Sequence, residues 1–151
     1  MSLCLTCGER ILRRWVPRIP LLAPGELFCP TSLWMSRDFG GLSFRLTQLL
    51  TGHECFSVYL KRIGRYYSDG CEHCEFRTDD ASHTLADCEV WSFLRDVLSD
   101  SVGSALNDES IVPIMLSSEE NWRLVASFAE DVIFVKECAE RARQRGPLSD
   151  G

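Results

Sequence analysis

The spacing Cys71-x2-Cys74-x8-His83-x4-Cys88 constrains this chain more than any other feature, because it requires four side chains to meet at one point. A Cys-x2-Cys pair wraps a tight turn so that both thiolates reach one ion at about 2.3 Å, and a His followed by a Cys supplies the other two corners of a tetrahedron. Three thiolates and one imidazole fill the coordination sphere of a single Zn2+. With no open position there is no activated water, so the expected metal is structural. His73, inside the Cys71–Cys74 turn, is the rival imidazole, but a residue there points outward, which favours His83. Chance co-occurrence without metal is the bland alternative.

Eight cysteines in 151 residues could instead mean a disulfide scaffold, which needs an oxidising compartment. The first 25 residues argue against one. Arg10, Arg13, Arg14 and Arg18 break their apolar residues, so neither a secretory core nor a membrane span forms. The expected setting is intracellular, nuclear or cytoplasmic and not secreted, where clustered cysteines more often bind metal. A chain of 151 residues with 45% hydrophobic content is long enough for one modest core and too short for a polymerase. The net charge of −6 is unevenly placed: residues 1–65 carry nine Lys/Arg against four Asp/Glu, and the remainder seven against eighteen. A phosphate-binding surface therefore belongs before the cysteine cluster.

Residues 1–41 hold four of the six prolines and no sustained apolar period, which predicts a poorly ordered arm. Cys4, Cys7 and Cys29 lie there, and free thiols are the simplest reading of them. Leu42, Leu46, Leu49 and Leu50 share a helical face ahead of Gly52. Phe56, Tyr59, Leu60 and Ile63 predict a second helix of about ten residues stopped by Gly64. A third helix runs from near Cys88 to before Gly103, and Pro113 limits the segment 108–115 to a turn or the start of a helix. Ser117-x-x-Glu120 reads as a capping box for a final helix that ends near residue 144. Its apolar stripe is Trp122, Val125, Ala126, Ala129, Val132 and Ile133, with Glu137 and Arg141 paired at i, i+4. The expected fold is mainly α: a small helical domain over 42–145, a CCHC zinc-knuckle-like insertion between its helices, and a tail at 146–151.

Glu72, Glu75, Asp79, Asp80, Asp87 and Glu89 surround the cysteines against a single Arg77, so the knuckle itself should repel phosphate. Lys61, Arg62 and Arg65, with Tyr66 and Tyr67 for stacking, are the better candidate surface for RNA or DNA. The same basic residues would also suit a solvated helix end, where they complement the helix dipole. A zinc deaminase needs His-x-Glu and Pro-Cys-x-x-Cys, but here His53 and Glu54 are adjacent and Gly70 precedes Cys71. Asp79-Asp80 lacks the strand-like flanks of a magnesium-binding carboxylate pair, and no Gly-rich phosphate loop or nucleophile elbow is present. No small-molecule substrate is implied.

The stretches "LTQLLTGHECFSVYLKRIGRYYSDGCEHC", "ASHTLADCEVW" and "ENWRLVASFAEDVIFVKECAERAR" resemble the region downstream of the reverse transcriptase domain in polyproteins of insect type-1 non-LTR retrotransposons. The resemblance implies a cysteine-histidine nucleic-acid-binding tail of a protein whose polymerase and endonuclease lie elsewhere, so this chain alone is expected not to be an enzyme. The competing expectation is a structural zinc module whose acidic C-terminal helices face a protein partner, or a remnant without function.

Overall fold

The computed structural model describes residues 34–75 and 77–146. Cys4, Cys7 and Cys29 lie outside them, as do most of the arm and the tail. Besides a short helical stretch at 34–36, five α-helices are described: α1 (Phe44–Thr51), α2 (Ser57–Arg62), α3 (Ser92–Val102), α4 (Ile111–Ser117) and α5 (Glu119–Arg145). A π-helical turn at His83–Asp87 and a 3-10 turn at Glu89–Trp91 lie between α2 and α3, and no strand occurs among the described residues. The fold is the expected small helical domain with the cysteine-histidine segment inserted between helices.

Each helix end has a local cause. Ser43 caps α1 by accepting from the Leu46 N–H, and Gly52 closes it at φ 71°, where a side chain would be strained. Gly103 ends α3 in the same left-handed conformation. The helix after Pro113 does form: Pro113 sits in the first turn of α4, where its missing N–H is not needed. The capping frame of α5 differs from the expected one. Ser117 is the last residue of α4, so Ser118 is the extended N-cap and accepts from the Asn121 N–H, while Glu120 has no part in a box.

α2 has six residues where about ten were expected. Its apolar period continues to Ile63, but Gly64 turns back at φ 78° and the Arg65 N–H bonds the Leu60 carbonyl, closing the helix early. Ile63 is left exposed.

The long helix α5 organises the core, packing against α4, α1 and α3. Val125, Ala129, Val132 and Ile133 are fully buried against Leu46, Leu49, Leu50, Ile111 and Met115. Arg45 of α1 adds ion pairs to Glu130 (2.9 Å) and Glu137 (3.2 Å) of α5. The described end of the N-terminal arm also joins this core. Trp34 is buried with its ring centre 5.4 Å from that of Trp122, and the Trp122 indole N–H donates to the Gly41 carbonyl. Gly40, at φ 87°, lies so close that a Cβ there would enter the Trp122 ring.

Candidate metal centre

Two short turns bring the four cluster residues together. In the first, the Glu75 N–H bonds the Cys71 carbonyl, and Glu75 takes a left-handed φ of 63° that ends the turn. In the second, the Cys88 N–H bonds the His83 carbonyl at 2.8 Å. That i to i−5 bond defines the π turn, and it places residues five apart one above the other. The x4 spacing between His83 and Cys88 thus becomes a shared direction. Asp80 starts the segment by accepting from the His83 N–H at 2.8 Å.

The Sγ atoms of Cys71, Cys74 and Cys88 and a ring nitrogen of His83 all lie within 4.8 Å of one another, and His83 Nε2 is 3.1 Å from Cys74 Sγ. Cys71, His83 and Cys88 are buried and Cys74 is half-buried. These four residues could hold a metal ion. Their donor set is soft, compact and complete at four, which suits a closed tetrahedral ion. His73 is apart from them: its ring lies 5.6 Å from the Trp91 ring.

Burial raises the Cys71 thiol to about 12 and also raises the Cys88 thiol, while burial lowers the His83 imidazole. Burial therefore favours the neutral forms of Cys71, Cys88 and His83 when no metal is bound. An entering metal must displace thiol protons, so acidification opposes binding.

The aspartate pair turns out to be structural. Asp79 is buried, and its Oδ1 accepts from Lys136 Nζ of α5 at 2.6 Å. Its Oδ2 accepts from the Ser57 N–H and its carbonyl from the Val58 N–H, so Asp79 caps α2 from across the fold. Sequence reasoning missed this arrangement. The available signal was Lys136 itself, which continues the apolar stripe of α5 after Val132 and Ile133.

The candidate basic surface lies beside the knuckle. Lys61, Arg62 and Arg65 are exposed at the end of α2. Lys61 is 3.6 Å from Asp69, and the Arg62 guanidinium is 5.3 Å from the centre of the Tyr59 ring. Tyr66 and Tyr67 lie with ring centres 4.8 Å apart, Tyr66 half-buried and Tyr67 exposed. Arg143, which the sequence did not single out, sits 4.4 Å from the centre of the Tyr66 ring and pairs with Glu72.

A 115 kDa protein in the type-1 retrotransposable element R1DM of Drosophila melanogaster is 31% identical to this chain over 126 residues. The chain is a relative of that retrotransposable-element protein. The match covers 82% of this chain, so it includes the cysteine-histidine segment, but only 11% of the R1DM protein. The resemblance read from the sequence is thereby supported by an aligned relative. No protein-family model matches the sequence, and no solved structure matches it. None of the described helices is long and apolar enough to cross a membrane.

Proposed function

We propose that this chain is a zinc-stabilised nucleic-acid-binding region of the kind found after the reverse transcriptase of type-1 retrotransposable elements. One Zn2+ held by Cys71, Cys74, His83 and Cys88 fixes the loop between α2 and α3. The observation that carries the reading is the convergence of those four donors within 4.8 Å in a chain related to a retrotransposable-element protein. The filled donor set makes the zinc structural, and the basic end of α2 with its two tyrosines makes the contact with RNA or DNA.

Reversing Lys61, Arg62 and Arg65 to Glu tests the contact. All three side chains are solvent-facing, so the fold and zinc content should persist. Affinity for nucleic acid should collapse, and the salt slope should shrink by up to about 0.9 for each duplex phosphate that is no longer neutralised. Unchanged anisotropy titrations with the reversed variant would remove this surface from the reading.

The chain acts by binding and has no polymerase activity alone. Incubation of the purified protein with a primed RNA template and deoxynucleotides should yield no extended primer, and extension would refute the non-catalytic assignment.

A protein partner is the second reading, favoured by apolar exposure on α3. Phe93 is 75% exposed, with Val97 one turn further along the same face. Under that reading the triple reversal leaves partner binding intact.

A further inference from the structure

Between the end of α2 and the last turns of α5 runs a groove of about 700 Å3, within the size range of small-ligand sites. Leu60, Ala139 and Ala142 contribute apolar lining. Tyr66 and Tyr67 also line it, and Tyr67 is 85% exposed although its ring centre lies 4.8 Å from that of Tyr66. Arg65 and Arg143 belong to the lining as well.

We propose that this groove takes an unpaired nucleotide of a single strand, its base against Tyr67 and its phosphate near Arg65 and Arg143. The inference rests on the nucleic-acid reading above and adds a choice between strand forms. An aromatic side chain can stack only on a base whose face is free, which a duplex interior does not offer. The apolar lining suits a base plane, whereas a duplex backbone would meet a flat basic surface and need no groove. Two acidic groups share the groove: Glu72 pairs with Arg143, so a phosphate must displace it to reach that guanidinium, and Glu140 accepts from the Gln144 side-chain amide at 3.0 Å. The Arg143 guanidinium lies over the Tyr66 ring, a cation–π contact that steadies that ring.

The test is fluorescence anisotropy on the full zinc-loaded chain with labelled single strands of RNA and DNA and the matched blunt duplex. Strands of about twelve nucleotides fall within the span of small single-strand-binding folds. Tyr67→Ala removes the stacking face, and Ala142→Glu places a carboxylate in the groove from an exposed helical position. Circular dichroism and zinc content confirm that both variants fold. The expected result is tighter binding of single strands than of duplex, with Tyr67→Ala weakening the single strand about 5- to 150-fold, the range for losing one stacked base. Ala142→Glu should weaken it as well. Equal affinity for both forms, with neither variant changing it while the triple reversal abolishes binding, overturns the groove and leaves the basic surface standing. No binding of any strand by the zinc-loaded wild type overturns both.

Discussion

If the quartet holds zinc as proposed, replacing Cys88 with Ser should abolish metal binding and lower the melting temperature by roughly 10–20 °C, as a loss of about 5 kcal/mol does in a domain of this size. Structural zinc contributes on the order of 10–16 kcal/mol to folding of isolated zinc-finger peptides. Here α1, α4 and α5 supply much of the buried cluster and none of the four candidate ligands, so the loss should be smaller than that. It should still exceed an ordinary core substitution, because Cys88, Ala81, Leu85 and Trp91 all belong to the same buried cluster. Without an ion, the two turns would be held mainly by a few backbone hydrogen bonds and the Asp80 cap.

Metal analysis and thermal circular dichroism of wild type, Cys88→Ser and Cys138→Ser check this directly. Cys138 is exposed and outside the quartet, so its replacement should change neither quantity. A Cys88→Ser protein that keeps one equivalent of zinc would show that the quartet does not hold it. A chelator should reproduce the Cys88→Ser effect in the wild type. Zinc retention should also fail as pH drops, because protons compete for thiols that burial already favours in the neutral form.

Much of this architecture was legible because its causes are local. The leucines before Gly52 and the stripe from Trp122 to Ile133 follow a 3.6-residue period, and the stripe is buried apart from Ala126, which is half-buried. The convergence of Cys71, Cys74, His83 and Cys88 was legible because their spacing is itself a geometric statement. The α5 cap was misread by one residue because Ser117 and Ser118 both precede a polar residue three positions on. The competing end of α4 decides between them, and that end is set by tertiary packing. Arg143 escaped notice for a similar reason. Its partners Glu72 and Tyr66 are more than seventy residues away, and no local pattern joins them. Trp34, assigned to the loose arm by its proline-rich neighbourhood, is held by Trp122 from the other end of the chain.

The pairing of Asp79 with Lys136 was the least legible feature and supports the second large prediction. Lys136→Met should destabilise the zinc-loaded protein by about 3–5 kcal/mol, the usual cost of stranding one member of a buried ion pair. Both side chains are almost fully removed from water, at 2% and 5% exposure for Lys136 and Asp79. Removing the ammonium leaves the Asp79 carboxylate with only the Ser57 N–H among the hydrogen-bond donors described for it. The double variant Asp79→Asn/Lys136→Met should recover most of the loss. Its amide oxygen can still accept from Ser57, and the unbranched thioether fills the space of the lysine stem beside Phe56. Urea denaturation of the four proteins in this cycle isolates the coupling between the two positions. A single-variant loss below about 1 kcal/mol would place the pair with weakly coupled surface bridges instead. The position of Asp79 gives the result a functional meaning. It lies between Cys74 and His83, caps α2 just before the basic residues, and reaches α5 through Lys136, so one buried carboxylate ties the metal loop, the basic helix end and the long helix into a single unit.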